Sequence, residues 1–228
     1  TSAGMNSTRP HGKFITFEGG EGAGKTTQIT RLTERLRERG HNVVTTREPG
    51  GAPGADSIRA LLVSGATDKW DPISEVLLLY AARREHLNQT IRPALDAGAW
   101  VLCDRFADST LAYQGYGHGV SREFIAQLHA AVVGDDDPDL TLILDMPISV
   151  GLGRAHARNT NTKSAEDRFE RMGHEFHDRL RAGFLEIAAA APARYAVIDA
   201  DDSLDGVAGA VWSAVTRKFA DDMADGDE

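Results

Sequence analysis

Short apolar runs, each closed by a glycine or an acid, alternate along the chain with stretches whose apolar positions recur every three or four residues. Residues 13–19, KFITFEG, read as a buried strand, and Ile29, Leu32 and Leu36 then fall on one helical face that Gly40 closes. VVTT (43–46) is a second strand, followed by a helix over 53–65. Residues 71–98 form a long helix opened by Asp71 and Pro72 and kinked at Pro93. AWVLC (99–103) is a third strand, and 121–134 a helix with Ser121 as N-cap and Phe124 through Val133 on its inner face. DLTLILD (139–145) is a fourth strand, a helix, a polar stretch and a second helix fill 147–191, YAVIDA (195–200) is a fifth strand, and 203–220 close the chain as a helix.

Strands that alternate with helices build βαβ units and a parallel sheet. The strands are apolar without clean alternation, as expected when helices cover both faces. The expectation is therefore a three-layer α/β/α domain with a five-stranded parallel sheet. Ligands of such sheets bind beyond the carboxyl ends of the strands. Residues 13–220 read as one domain, 221–228 as an acidic tail, and 1–12 as a leader in which Thr1–Gly4 are a cloning remnant before Met5.

Composition narrows the class. The 228 residues are 41% hydrophobic and 26% charged, as in a soluble globular protein. The expectation is a cytoplasmic protein, with no apolar run long enough to span a membrane and no secretory signal. The one cysteine, Cys103, sits in an apolar run and reads as a small buried hydrophobe. A net charge of −9 argues against broad nucleic-acid binding. The cations are 20 arginines and 5 lysines, so an anion site must concentrate them locally.

FEGGEGAGKTT (17–27) supplies such a site. Gly19 to Thr26 spell G-x-x-x-x-G-K-T between a strand and a helix, the pattern of a P-loop. Glycines let Gly19, Gly20, Gly22 and Gly24, with Glu21 and Ala23, turn backbone N–H groups towards phosphate. The helix behind adds the positive end of its dipole. Lys25 can reach the β and γ phosphates, Thr26 can place its hydroxyl on Mg²⁺, and Thr27 completes the loop, so the expected ligand is ATP. The N-K-x-D signature of guanine recognition is absent from the chain. Glu21 puts a carboxylate beside the phosphates, where it repels them unless it accepts from a donor such as a sugar hydroxyl.

Arginines also gather at strand ends. TREPGG (46–51), YAARR (80–84), CDRFADSTLAYQG (103–115) and GRAHARNTNTKSAEDRFER (153–171) bring Arg47, Arg59, Arg83, Arg105, Arg154, Arg158 and Arg168 towards one crevice. A single nucleotide does not need so many, whereas two phosphorylated substrates do.

In this order, over about residues 13–200, the motifs resemble the thymidylate kinase (dTMP kinase) family in its bacterial form. The resemblance implies transfer of the ATP γ-phosphoryl to dTMP on the path to dTTP, with Mg²⁺, in a homodimer without nucleic-acid or membrane partners. It implies that Arg105 bridges the acceptor phosphate and the transferred group, and that Asp104 acts through Mg²⁺. Glu21 would meet the 3′-hydroxyl of dTMP, Arg59 its phosphate, and Arg83 thymine O4. Ser109, Thr110 and Gln114 would approach base and sugar, and Tyr113 would pack under the deoxyribose and exclude a 2′-hydroxyl. With no arginine in the P-loop, the chain is similar to the class that carries it in the lid, here about 153–168, with Arg158 first and Arg154 next for the γ-phosphate. One departure is Leu79, where the family often has a phenylalanine stacked on thymine. The P-loop alone also admits a nucleoside kinase, with Asp104 or Glu21 as base, or a P-loop switch with no second substrate.

Overall fold

A computed structural model describes residues 12–162 and 168–224, without the side chains of 158–162 and 224. The predicted leader therefore lies almost wholly outside the described residues, as do residues 163–167 near the end of the predicted lid and the last residues of the tail.

Five parallel strands form the sheet: β1 (Phe14–Glu18), β2 (Val43–Arg47), β3 (Trp100–Asp104), β4 (Leu140–Asp145) and β5 (Tyr195–Asp199), in the order β2-β3-β1-β4-β5. Residue alternation along β1 divides the core. Ile15 and Phe17 face Ile29, Leu32 and Leu36 of α1 (Lys25–Glu38) and Val211 and Val215 of α9 (Leu204–Lys218). Phe14 faces the other layer, with Val76 and Tyr80 of α3 (Pro72–His86) and Ile125 of α6 (Arg122–Val132). Cys103 is a free, buried thiol in that second layer, and burial pushes its pKa up. α8 (His174–Ala190) covers Ile143 with Phe176, Leu180 and Phe184.

The remaining described helices are α2 (Pro53–Leu62), α4 (Arg92–Asp96), α5 (Ala107–Thr110), α7 (Ile148–Thr162) and α10 (Ala220–Ala224). The long helix expected over 71–98 is interrupted by a π-helical turn at Leu87–Ile91 between α3 and α4. Pro93 lacks an N–H and its ring collides with the carbonyl four residues back, so the spiral widens just upstream of it. Asp71 caps α3 by accepting from Ile73 N and Ser74 N, each at 3.1 Å. α10 includes Asp221 and Asp222, the first acids of the segment read as a tail, and Lys13 pairs with Asp222 at 2.9 Å. Of the described residues, no helix is long and apolar enough to cross a membrane.

The carboxyl ends of β1, β2 and β3 lie side by side, with Phe17 and Arg47 both in register with Asp104. This places the phosphate loop, TREPGG and the Asp104–Arg105 pair at one edge of the sheet.

Candidate active site

Residues 19–24 link β1 to α1 as a loop in which Gly19 and Gly22 are required by space as well as by dihedral angle. Gly19 has φ +127°, and a Cβ there would stand 2.3 Å from Leu144 O. Gly22 has φ +70°, and its Cβ would stand 2.0 Å from Gly151 O of α7. Lys25 is buried and donates to Gly20 O at 3.0 Å and Gly19 O at 3.4 Å, folded back over the loop it would share with phosphate. Burial, then the neighbouring Arg105, lowers its pKa. Thr26 donates its hydroxyl to Asp104 Oδ2 at 3.0 Å, joining the two residues expected at a metal. Among the described residues no three His, Cys, Asp or Glu side chains gather as a metal site. A hydroxyl and a carboxylate are hard oxygen donors that fit a Mg²⁺ completing its shell with water and phosphate.

Arg105 follows β3 in the left-handed region, φ +70°, a costly conformation for a non-glycine residue that aims it back across the phosphate loop. It donates to Gly19 O (2.9 Å), Ser109 Oγ (3.1 Å) and Glu21 Oε1 (2.9 Å), and lies 5.0 Å over the Tyr113 ring. Burial opposes its charge, but Tyr113, Glu21, Glu18 and Asp104 more than compensate, and the pKa is raised. Tyr113 donates to the same Glu21 Oε1 at 2.6 Å, and Phe169, Phe176 and Phe184 pack edge-on against its ring. Glu21 is thus held by two donors, as its position beside phosphate requires.

Glu18 organises this corner, and the sequence reading gave it no role. It is fully buried and accepts from Phe106 N (2.7 Å), Ser109 N (3.3 Å) and Ser109 Oγ (2.5 Å). Burial raises its pKa to about 7, helped by Asp108 and opposed by Arg105 and the hydrogen bonds. Its one visible signal was a carboxylate ending an otherwise apolar strand.

On the far side, Arg83 projects from α3 with 2% exposure. It donates through Nε to Glu48 Oε2 (2.8 Å) and through Nη2 to Phe106 O (3.1 Å) and Thr110 Oγ1 (3.0 Å). Glu48, from TREPGG, also meets His86 Nδ1 at 3.0 Å, a pairing the sequence did not reveal. The third nitrogen, Nη1, is buried with no hydrogen-bond partner among the described residues. Gln114, on the π-helical turn Leu111–Gly117 after α5, donates to Glu75 Oε1 at 2.7 Å and leaves its own Oε1 buried without a partner among the described residues. Such atoms are rare in folded proteins, and each calls for a ligand or water.

These groups border one cleft of about 1670 Å³. It is larger than the ~300–1,000 Å³ of a site for one small molecule. The cleft brings together Lys25, Thr26, Asp104, Arg105, Glu21, Tyr113, Ser109, Thr110, Gln114, Arg83, Leu79, Arg59, Arg47 and Arg154. Arg59 donates to Pro49 O at 2.8 Å. Arg154 leans towards Ala200 O (3.4 Å) and Asp201 (3.7 Å) at the end of β5. Arg158 belongs to α7, but its side chain lies outside the described residues. Arg168, expected in the crevice, is instead 1% exposed and pairs with Glu75 while donating to Leu62 O, Ala66 O and Thr67 O. Its proximity to the lid in sequence suggested phosphate, but an arginine with that many buried acceptors is a structural anchor.

The family model described as thymidylate kinase matches residues 17–211. The thymidylate kinase of Caulobacter vibrioides is 57% identical over 208 residues, 91% of this chain and 98% of the relative. That of Geobacter sulfurreducens is 53% identical over the same shares. Among solved structures, thymidylate kinase from Ehrlichia chaffeensis superposes with a TM-score of 0.72 at 39% identity, covering 91% of this chain and 99% of that one.

Proposed function

The chain belongs to the thymidylate kinase family, and from that premise we propose that this cleft transfers the γ-phosphoryl of ATP to dTMP, giving dTDP. One observation carries the placement of the two substrates. A glycine-lined phosphate loop shares a cleft with a buried arginine donor, Arg83 Nη1, and a buried amide acceptor, Gln114 Oε1, both without partners among the described residues.

That pair suits one pyrimidine edge. Thymine offers O4 to accept from Arg83 and N3–H to donate to Gln114. Cytosine reverses both roles, so each contact fails, at about 1–3 kcal/mol for a mispaired buried group. Leu79 borders the same region and gives apolar contact where an aromatic ring would stack. Glu21, fixed by Arg105 and Tyr113, accepts the 3′-hydroxyl, and the Tyr113 ring fills the space a 2′-hydroxyl would need. Arg59 and Arg105 take the dTMP phosphate.

ATP lies on Gly19–Thr27 with its γ-phosphate between Lys25 and Arg105. Bound by Thr26 and Asp104, Mg²⁺ would offset charge on the donor's phosphate oxygens. Lys25 exchanges its contacts with Gly19 O and Gly20 O for phosphate oxygens, and Arg105 spans the donor and acceptor phosphates. A phosphate oxygen of dTMP is already anionic, so the attack needs no general base. Positioning and charge stabilisation carry the step. Arg154, or Arg158 further along α7, completes the charge cage from the lid.

The protein acts as a homodimer in the cytoplasm. Val76 and Leu87 are buried in their own chain, while Ile73 (53% exposed) and Leu77 (48%) stand out from α3 as an apolar strip suited to a second copy.

Coupled measurement of ADP formation tests the reading. ATP consumption should depend on added dTMP and be far weaker with dCMP, thymidine or no acceptor. Equal hydrolysis without any acceptor, or turnover of thymidine and not dTMP, overturns it.

A further inference from the structure

Three side chains, each 1% exposed, form a chain of contacts behind the base site. Arg168 pairs with Glu75 Oε2, and Glu75 Oε1 accepts from Gln114 Nε2 at 2.7 Å. Arg168 is itself immobilised by Leu62 O (3.2 Å), Ala66 O (3.0 Å) and Thr67 O (2.9 Å), and its backbone N–H reaches Val63 O at 3.4 Å.

A glutamine amide has two faces of opposite polarity, and nothing in its shape decides which one meets the ligand. Here the neighbour decides. A carboxylate paired with a guanidinium can only accept, so it takes the –NH₂ end of Gln114 and leaves the carbonyl end without a partner among the described residues, at a residue bordering the cleft. Arg83 is oriented by the same logic, because Glu48, Phe106 O and Thr110 use its other nitrogens.

We propose that Glu75, held by Arg168, is a positioning residue for base specificity: it locks the Gln114 amide with its acceptor towards the ligand, so that the cleft prefers a pyrimidine with N3–H over one with a bare N3. The inference rests on the placement of the base beside Arg83 and Gln114 proposed above. It also explains why an arginine at the end of the lid segment is buried away from phosphate. Its guanidinium fixes a carboxylate that never touches substrate, and the next residue, Phe169, packs against Tyr113 at 5.5 Å.

The test is a cycle of Glu75→Gln, Gln114→Met and the double variant, reading kcat/KM for dTMP and dCMP and KM for ATP. With Gln at position 75 the facing amide can donate or accept, so Gln114 is free to flip. The dTMP-over-dCMP preference should fall roughly tenfold while KM for ATP stays put. Gln114→Met should lose the preference to the same degree, and adding Glu75→Gln to it should lose no more. Additive losses, an unchanged preference in folded Glu75→Gln, or a parallel rise in KM for ATP overturn the proposal. If Glu75→Gln does not fold, Gln114→Met decides alone, and an intact preference in it overturns the proposal. Arg83→Lys separates the two levels of inference. If it abolishes the preference and Glu75→Gln does not, the base is where stated and the relay is wrong. If neither changes it, the base site itself is misplaced.

Discussion

Replacing Arg83 by lysine keeps a positive charge beside Glu48 and removes the fork. The buried carboxylate stays paired, which matters because stripping a partner from a buried ion pair costs about 3–5 kcal/mol and would confuse function with folding. Lysine cannot make the bonds to Phe106 O and Thr110 Oγ1 while holding Glu48, so two neutral acceptors are lost at about 1 kcal/mol each. For a chain of 228 residues that is a fall in Tm of roughly 4–8 °C. Nη1 also disappears, and with it a charge-assisted bond to thymine O4 worth about 1.5–3 kcal/mol. At 1.4 kcal/mol per tenfold, kcat/KM for dTMP should drop by roughly ten- to hundredfold. KM for ATP should stay constant, because no P-loop contact involves Arg83. The dTMP-over-dCMP preference should collapse, since the donor that rejects the cytosine amino group is gone. Steady-state kinetics with both acceptors and a melting curve suffice. Equal losses for dTMP and ATP, or a lowered Tm with the preference intact, would refute the assignment of Arg83 to the base.

Other outcomes follow from the same contacts. Lys25→Ala should abolish phosphoryl transfer without lowering Tm, because it deletes a buried charge that burial already disfavours; a melt beside the kinetic assay checks both. Glu18, with a folded pKa of about 7 against an ordinary value of 4.5, binds its proton more tightly when folded. Its contribution is therefore fully present below pH 4.5 and lost as pH rises through 7, on the order of 3 kcal/mol. Urea unfolding from pH 4.5 to 8 should show stability falling less in Glu18→Gln than in the parent, and identical slopes would contradict this. Leu77→Asp should convert the dimer to monomer by light scattering without disturbing the monomer fold, since Leu77 is half exposed on α3.

The strands and the phosphate loop were legible because each depends on neighbours in sequence: a run of apolar residues, then glycines and a lysine within eight positions of one another, Gly19 to Thr26. Arg83, Arg105, Glu21 and Tyr113 were legible as members of motifs, and the structure brings them to one cleft. What escaped were three buried glutamates. Glu18, Glu48 and Glu75 sit in ordinary contexts, and their roles come from partners such as Ser109, Arg83 and Arg168, 35 to 93 positions away. Arg168 was misplaced for the same reason, because an arginine beside a polar lid looks identical in sequence whether it meets phosphate or Glu75. The π-helical turns at Leu87–Ile91 and Leu111–Gly117 leave no periodic trace, because one extra residue per turn shifts the apolar rhythm only locally.

Gly22 and Gly151 meet with no room for a methyl group on either: a Cβ on Gly151 would stand 2.5 Å from Glu21 O. Backbones that touch so closely travel as one rigid block. The first turn of α7 is therefore clamped to the loop that grips the donor, and it serves as a fulcrum. Any swing that brings Arg154 inward must bend the helix beyond Gly151, so the length of the lever is set by two missing side chains.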